Sequence, residues 1–453
     1  MQYHTMNTRQ ALKTFLPLTL SVMLFVWAQQ CRGQQTSYQF DFGSGKTAAG
    51  YIPVTPSTIY NKETGYGFDF KTTPTAVDRG GKDALTSDFV TSDKPFYFSV
   101  NLPEGNYNVS ITLGDLKESS TTTVKLESRR LLLEKIQTTP GKFFTGSFTV
   151  NIRRPEINAT EKVALKPREL SKLDWDDKLT LEFNDSRPCI AALTIRPVSN
   201  AVTVFLAGNS TVVDQDDEPW ASWGQMIPKY FKSGLAIANH AESGLSLGSF
   251  LGSKRLQKVL SVMKPGDYMF IEFGHNDQKE KGPNDGAFKS YQERLLFFIR
   301  EVRKKKGIPV LVTPTNRRTF DDKGVITNSL GDYPDAMRKV AKDEQVPLID
   351  LNAMTKILYE TMGPEKSVRA FVHYPAGTYP GQDKELKDDT HFNAYGAYEI
   401  AKCVIAGIRA NKLGLASYLT GGVAAFDPAH PDALDNWSLA VSPTSTVLKP
   451  DGN

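Results

Sequence analysis

The pattern of hydrophobic and polar residues divides the chain into two parts with different periodicities. From Thr36 to about Pro197, short runs alternate between apolar and polar positions, and turn-forming residues separate them. These runs are YQFDFG at 38–43, YGFDF at 66–70, FYFSVNL at 96–102, YNVSITLG at 107–114, SFTVNI at 147–152 and KLTLEFN at 178–184. A period of two without a convincing helix predicts an antiparallel β-sandwich or jelly roll for residues 34–198.

The second part begins after Ala201 and alternates apolar runs with amphipathic stretches. The apolar runs are TVFLAG at 203–208, LAIANHA at 235–241, YMFIEFG at 268–274, IPVLVTP at 308–314 and VPLIDLN at 346–352. The clearest predicted helix covers 288–307, where apolar residues recur at spacings of three and four. Its apolar positions are Phe288, Tyr291, Leu295, Phe298 and Val302. This alternation predicts a three-layer α/β/α domain over residues 199–425, with a five-stranded, mostly parallel sheet between helices.

The remaining segment, residues 426–453, is rich in proline and serine and is expected to pack loosely or to extend. The β-rich part also carries many aromatic side chains, which could form either its core or a surface that stacks on sugars. The core interpretation is the favoured one. These aromatics are Tyr38, Phe40, Phe42, Tyr66, Phe68, Phe70 and Trp175.

Residues 1–33 are predicted to be a secretion signal. Two basic residues precede the apolar run FLPLTLSVMLFVW from Phe15 to Trp27, and small and polar residues follow it. These thirteen residues are fewer than the roughly 20 that span a bilayer, and no other long apolar run suggests a transmembrane segment. We therefore expect export to the periplasm or the cell exterior. Cys31 raises the alternative of a lipid anchor, which the residues before it make less favourable.

Composition excludes several classes of protein. A chain of 453 residues is too long for one ordinary hydrophobic core, so two domains are expected. Subtracting the three positive charges of residues 1–33 from the net charge of +4 leaves +1, which argues against a nucleic-acid partner. Cys189 and Cys403 are predicted to be buried free thiols, because they lie far apart in a strand-like and a helix-like segment. The absence of zinc-ligand spacing and of a phosphate-binding glycine loop predicts no metal or organic cofactor.

Polar residues follow the predicted parallel strands at their carboxyl ends, where sheets of this kind bind ligands. Gly208-Asn209-Ser210 follows the first strand, and Asn239 to Gly244 ends the second. Gly274-His275-Asn276-Asp277 follows the third strand. Asp388 to Asn393 precede a predicted last helix at about 393–412.

These segments together suit acyl transfer. Ser210 is a candidate nucleophile, His391 can accept its proton, and Asp388 can orient the imidazole. Candidate donors to the oxyanion are the N–H groups of Ser210 and Gly244 and the side-chain amide of Asn276.

Two rival assignments remain open in the sequence. Ser246 lies in Gly244-Leu-Ser246-Leu-Gly248, which matches the nucleophile elbow of α/β-hydrolases. We expect it instead to form local hydrogen bonds at a helix N-terminus. Asp389 competes with Asp388 as the residue that orients His391.

The same four segments resemble the ordered blocks of the SGNH (GDSL-type) hydrolases. Within that superfamily the chain is most similar to rhamnogalacturonan acetylesterases. The motifs that carry this similarity are GNST at 208–211, Trp223-Gly224-Gln225, Pro314 to Arg318 and DDTHFN at 388–393. The β-rich part resembles the galactose-binding-like domain of larger bacterial members. The resemblance implies a Ser210–His391–Asp388 triad and an oxyanion hole of Ser210, Gly244 and Asn276. Asn209 stands where the superfamily has aspartate, and no loss of activity is expected from it.

The resemblance implies an esterase that removes acetyl groups from pectin of the rhamnogalacturonan type without a cofactor, and the predicted secretion signal implies that it is exported. Its partner would be an acetylated plant polysaccharide or oligosaccharide, and its oligomeric state stays open. Candidate substrate contacts are His240 near the second block, Trp220 and Tyr379 as stacking surfaces, and Arg317 as a partner for a uronic carboxylate. Acetylxylan esterase, another SGNH esterase or lipase, and a non-catalytic glycan-binding protein are the alternatives.

Overall fold

A computed structural model describes residues 1–2, 36–443 and 449–451. The predicted secretion signal therefore lies outside the described residues, except for its first two. Thr36–Asn453 form one compact unit. Within the described part of the chain, no helix is long and apolar enough to cross a membrane.

Strands β1 to β13 and one short helix form the first domain. The strands are β1 Tyr38–Phe42, β2 Ile52–Val54, β3 Tyr66–Asp69, β4 Thr75–Asp78, β5 Asp88–Thr91, β6 Phe96–Asn101, β7 Gly105–Gly114, β8 Ser120–Leu126, β9 Arg130–Thr138, β10 Phe143–Ile152, β11 Lys178–Arg187, β12 Cys189–Ile190 and β13 Ala192–Pro197, and helix α1 is Ala84–Ser87. Two five-stranded sheets have the orders β10-β7-β13-β1-β2 and β3-β6-β11-β8-β9, beside a smaller sheet β12-β5-β4. Pairing is antiparallel except between β1 and β2. The predicted sandwich is confirmed.

The aromatic side chains of this domain mostly form its core. Alternate residues of β1 point inward, so that Phe42 and Phe98 meet with ring centroids 5.0 Å apart. The core interpretation is confirmed for the five that are buried, whereas Tyr66 is half-buried and Phe70 is 48% exposed. The buried five are Tyr38, Phe40, Phe42, Phe68 and Trp175.

The second domain is the predicted three-layer α/β/α structure. Its strands are β14 Val202–Gly208, β15 Leu235–Asn239, β16 Tyr268–Glu272, β17 Ile308–Val312 and β18 Leu348–Ile349, followed by the hairpin β19 Phe371–Tyr374 and β20 Leu386–Phe392. Its helices are α2 Trp223–Met226, α3 Leu247–Gly252, α4 Arg255–Val262, α5 Gln292–Lys304, α6 Tyr333–Asp343, α7 Leu351–Lys366 and α8 Ala394–Ala410. The main sheet has the order β15-β14-β16-β17-β18, and all its pairs are parallel. A separate hydrophobic cluster covers each face of the sheet.

The predicted helix at 288–307 is shorter than its apolar spacing suggested. A π-type turn, Ala287–Tyr291, precedes α5, and the backbone of Phe288 has non-helical φ and ψ angles. Phe288 is therefore rotated out of the apolar face and is 50% exposed. The other four predicted positions are buried. Both cysteines, Cys189 and Cys403, are free and buried as predicted.

The tail was expected to pack loosely or to extend, and its described part is attached to the first domain. The Lys125 ammonium donates to the Ala440 carbonyl at 2.6 Å, and the Ser442 hydroxyl donates to Glu182 at 2.8 Å. Ser442 is 2% exposed. Hydrogen bonds to buried polar groups of β8 and β11 therefore hold a segment whose composition alone suggested loose packing.

Buried ion pairs join the two domains. The Arg130 guanidinium of β9 lies 3.1 Å from the Asp214 carboxylate, which follows β14. Lys172 lies 2.9 Å from Glu242, which follows β15. All four side chains are at most 2% exposed. Because a buried charge without a partner is costly, these pairs specify how the β-sandwich meets the loops at the carboxyl ends of the parallel strands.

One such pair provides a test of the interface. Arg255 of α4 and Glu169, in the 3₁₀ turn Pro167–Ser171, form an ion pair in which both side chains are 0% exposed. We predict that Arg255→Met lowers the free energy of unfolding in urea by about 3–5 kcal/mol, because it leaves a buried carboxylate unpaired. Combining it with Glu169→Leu should recover part of that loss. Arg303→Met, which breaks an exposed pair with Glu344, should cost at most about 1 kcal/mol. Equal losses for the two arginine variants would contradict the prediction.

Candidate active site

The structure brings Ser210, His391 and Asp388 into one hydrogen-bonded chain. Ser210 lies directly after β14, and its Oγ is 2.8 Å from His391 Nε2. The other ring nitrogen, Nδ1, is 2.8 Å from Asp388 Oδ2. All three residues are at most 5% exposed. This is the order of contacts that lets a serine hydroxyl transfer its proton to an imidazole.

Asp388 and His391 lie in a hairpin strand rather than in the loop that the sequence suggested. The register of β19 and β20 shifts, so that Phe371 opposes Phe392 while Val372 opposes Asp388. The residues between them bulge, and Asp388 Oδ1 accepts the backbone N–H groups of Thr390 and His391, both at 3.0 Å. The bulge aims the carboxylate at the imidazole three residues later.

The environment of Asp388 favours its ionised form. Burial alone would raise the pKa of the carboxyl, but the hydrogen bond and positive charge of His391 and the two backbone N–H groups hold the pKa below its ordinary value. An ionised Asp388 accepts a hydrogen bond from the Nδ1–H group of His391. His391 Nε2 then carries a lone pair toward Ser210, as a general base requires.

The rival aspartate has other partners. Asp389 Oδ1 accepts from the Arg318 guanidinium at 2.8 Å and lies 2.9 Å from His373 Nε2. Its side chain is 45% exposed, against 5% for Asp388. The geometry therefore pairs His391 with Asp388.

Hydrogen bonds among buried polar groups support the turn that carries Ser210. Asn209 Oδ1 accepts a hydrogen bond from the Thr211 N–H at 3.0 Å. An aspartate at this position could accept the same hydrogen bond. The Thr211 hydroxyl lies 2.7 Å from Glu272 Oε1, and Trp223 Nε1 donates to the other oxygen of Glu272. Burial raises the pKa of Glu272 to about 7, although these hydrogen bonds lower it.

Three donors can face an oxyanion at Ser210. Among the residues that the structure describes, no acceptor is present for the N–H of Ser210 or of Gly244. The Asn276 amide donates one N–H to the Leu245 carbonyl at 3.1 Å and accepts from Lys279 at 3.2 Å on its oxygen, which leaves its second N–H for a ligand. These three groups therefore stay the predicted donors to an oxyanion.

The loop of Gly244 has a conformation that suits glycine and is supported by the first domain. Gly244 has φ = +78°, a region that other residues adopt at a cost. The Lys166 ammonium donates to the carbonyl of Ser243, which belongs to the same peptide group as the Gly244 N–H. Lys172 pairs with Glu242 in the same loop, and Glu242 and Asp216 raise the pKa of Lys172 despite its burial.

Ser246 occupies a structural position. It caps the N-terminus of α3, where its Oγ accepts the Ser249 N–H at 3.1 Å and donates to Glu280 at 2.6 Å. The expectation of local hydrogen bonding at a helix N-terminus is confirmed.

The four candidate substrate contacts do not come together at one surface. His240 and Trp220 are each 1% exposed, so neither side chain offers a surface to a ligand. Arg317 donates to Thr390 Oγ1 at 3.2 Å and to the Ser329 carbonyl at 3.3 Å, and burial lowers its pKa. Tyr379 lines a separate cavity of about 320 Å³ between the β19–β20 hairpin and the tail.

Sequence reasoning missed the residues of the first domain that reach this site. Lys166 and Lys172 belong to the stretch KPRELSK at 166–172, which shows neither strand nor helix periodicity. Its alternation of charged and apolar residues was the only signal. Within the described residues, no group of three or more His, Cys, Asp or Glu side chains is arranged to hold a metal ion.

The buried carboxyl of Glu272 predicts a pH effect on stability. Its ordinary pKa is 4.5, and burial raises the pKa to about 7 in the folded chain. Between these values the unfolded chain has released a proton that the folded chain keeps, so stability falls as the pH rises. We predict that the stability of the native protein relative to Glu272→Gln decreases by up to about 3 kcal/mol from pH 5 to pH 8. Urea denaturation of both proteins across this range measures it, and parallel profiles would contradict it.

Comparison with known proteins gives matches to both domains. Residues 205–398 match the GDSL-like lipase/acylhydrolase family, and residues 38–134 match the β-agarase/YXIM esterase-like, galactose-binding domain-like family. Rhamnogalacturonan acetylesterase RhgT of Bacillus subtilis (strain 168) is 44% identical over 220 residues, which cover 48% of this chain and 94% of that protein. The uncharacterized esterase YxiM of the same strain is 28% identical over 391 residues, 84% of this chain and 92% of that protein. The superposition on the crystal structure of YxiM covers 83% of this chain and 99% of the YxiM chain, with 26% sequence identity and a TM-score of 0.44.

The two family matches cover different domains of the chain. The acylhydrolase match covers the strands and loops that carry Ser210, Gly244 and Asn276, and also Asp388 and His391. The galactose-binding-like match lies wholly within the β-sandwich. The chain therefore belongs to the GDSL-like lipase/acylhydrolase family, and it is a carboxylic ester hydrolase with an N-terminal galactose-binding-like domain.

Proposed function

We propose that this protein is an exported carbohydrate esterase that removes O-acetyl groups from pectin of the rhamnogalacturonan type. The observation that carries the catalytic part is the contact between Ser210 Oγ and His391 Nε2 at 2.8 Å, with Asp388 at the other ring nitrogen. Ser210 acts as the nucleophile, His391 as the general base and then the general acid, and Asp388 as the group that orients His391.

The first half-reaction forms an acetyl-enzyme. Ser210 Oγ attacks the acetyl carbonyl carbon while its proton passes to His391 Nε2. The negative charge that develops on the carbonyl oxygen is stabilised by the N–H groups of Ser210 and Gly244 and by the Asn276 amide. The bond to the sugar oxygen then breaks, and His391 returns the proton to that oxygen, which releases the deacetylated sugar.

The second half-reaction regenerates the enzyme. Water gives a proton to His391 and attacks the acetyl-enzyme carbonyl. The bond to Ser210 Oγ breaks, the proton returns to that oxygen, and acetate leaves. Asp388 stays ionised throughout, because its hydrogen bonds keep its pKa low.

The substrate proposal has two supports. RhgT, which is named a rhamnogalacturonan acetylesterase, is 44% identical to this chain over 220 residues, which cover 94% of that protein. Positively charged side chains also lie near the site, since Lys279 donates to Asn276, and the positive charges of Arg317 and Lys449 contribute, after burial, to lowering the pKa of Lys279. A positive field suits a polymer that carries uronic carboxylates. Export is proposed from the apolar run Phe15 to Trp27, which lies outside the described residues.

The catalytic proposal predicts a sharp difference between two serines. Ser210→Ala should reduce turnover of p-nitrophenyl acetate by about a million-fold, because it removes the nucleophile. Ser246→Ala is the matched control and should retain most of the activity, since Ser246 caps α3. An inactive Ser246→Ala beside an active Ser210→Ala would overturn the assignment. An inactive native protein would favour the glycan-binding alternative.

The substrate proposal is tested by acetate release. We expect a higher kcat/KM on acetylated rhamnogalacturonan than on acetylated xylan, with little hydrolysis of long-chain p-nitrophenyl esters. The Ser210→Ala variant supplies the background rate for each substrate. Preference for xylan or for long-chain esters would leave the catalytic assignment intact and overturn the proposed substrate.

A further inference from the structure

A carboxylate of the chain itself lies between two cations of the first domain. Asp451 Oδ2 is 3.0 Å from the Lys166 ammonium, and Asp451 Oδ1 is 3.7 Å from Nη1 of Arg168. The Lys166 and Arg168 side chains are 29% and 21% exposed, so a ligand can reach them. The two cations are therefore arranged to hold a carboxylate near the surface.

This carboxylate lies directly beside the proposed oxyanion hole. A Cβ atom built on Gly244 would be 3.0 Å from Asp451 Cβ and 3.1 Å from Lys166 Nζ. Two residues earlier in the chain, Lys449 Nζ is 3.8 Å from Asp388 Oδ2. Residues 449–451 thus lead from the triad aspartate to the Gly244 loop, across the region where a substrate must lie.

The two cations are held rigidly against the second domain. Lys166 and Arg168 flank the start of the 3₁₀ turn Pro167–Ser171, in which Glu169 accepts the Lys166 N–H at 2.8 Å. Glu169 is also buried against Arg255 of α4. Because this anchor fixes the turn, the positions of the two cations relative to the Gly244 loop are fixed before a ligand arrives.

One acid of the second domain also contacts this pair. Glu242 Oε1 is 3.8 Å from Arg168, whereas its other oxygen lies closer to Lys172, at 2.9 Å. Arg317, which the sequence suggested for carboxylate binding, is engaged elsewhere, and so is its neighbour Arg318. Arg317 donates to Thr390 and Ser329, and Arg318 pairs with Asp389.

We propose that Lys166 and Arg168 form a subsite for the carboxylate of a uronic acid residue of the substrate, and that Asp451 occupies this subsite in the free protein. The inference rests on the proposed function and names the part of the substrate that the first domain recognises. Arginine and lysine together bind a carboxylate through charge-assisted hydrogen bonds, which a neutral hydroxymethyl group cannot replace.

The test compares acetylated rhamnogalacturonan with the same polymer after reduction of its carboxylates to hydroxymethyl groups. The measured quantity is the ratio of kcat/KM on the two polymers. We expect a ratio of about ten or more for the native protein, and a fall toward one for Arg168→Met. Arg168→Lys should retain part of the preference because it retains the charge. Lys82→Met, a change at an exposed lysine of the same domain, is the matched control and should keep the native ratio.

The test substitutes Arg168 and not Lys166. Lys166 also donates to the Ser243 carbonyl, so the loss of Lys166 would alter turnover by itself. Asp451→Asn removes the competing carboxylate and should lower KM on the uronate polymer several-fold, with a smaller change on the reduced polymer. Equal ratios for the native protein and Arg168→Met would overturn the subsite. Acetate release would in that case still support the proposed function. No acetate release from either polymer would overturn the proposed function together with this inference.

Discussion

The need to pair buried charges between the two domains shapes the rest of this structure. Arg130 and Lys172 of the β-sandwich reach Asp214 and Glu242, which follow the first two parallel strands. Neither partner can move into water without breaking the interface, and neither can remain buried alone at low cost. The relative position of the domains is therefore determined at the same edge of the sheet at which a doubly wound fold binds its ligands.

This constraint brings the first domain to the Gly244 loop. The peptide group between Ser243 and Gly244 carries one of the proposed oxyanion donors, and its carbonyl accepts from Lys166 of the other domain. A cation at the carbonyl holds the peptide plane and polarises its N–H. The galactose-binding-like domain thus supports the loop of Gly244.

Two buried carboxyl groups at the site differ in pKa because they have different hydrogen-bond donors. Asp388 receives hydrogen bonds from an imidazole and two backbone N–H groups, and its pKa falls. Asp277 accepts the backbone N–H groups of Leu247 and Gly274, yet burial raises its pKa to about 7. Asp388 keeps a charge to orient His391, whereas Asp277 ties the Asn276 turn to the start of α3. The number and charge of the donors decide between these outcomes.

Local sequence patterns predict the two-domain order, the parallel sheet and the small set of side chains at its edge. Those features follow from local periodicity and from motifs whose residues lie a few positions apart, such as Asp388 and His391. The three-dimensional fold set Phe288 outside its helix face, because a π-type turn does not alter the apolar spacing. It also decided that His240 and Trp220 are buried and that Lys166 and Arg168 reach the cleft. Burial and cross-domain contact join residues tens to hundreds of positions apart, and no local pattern records which of them will meet.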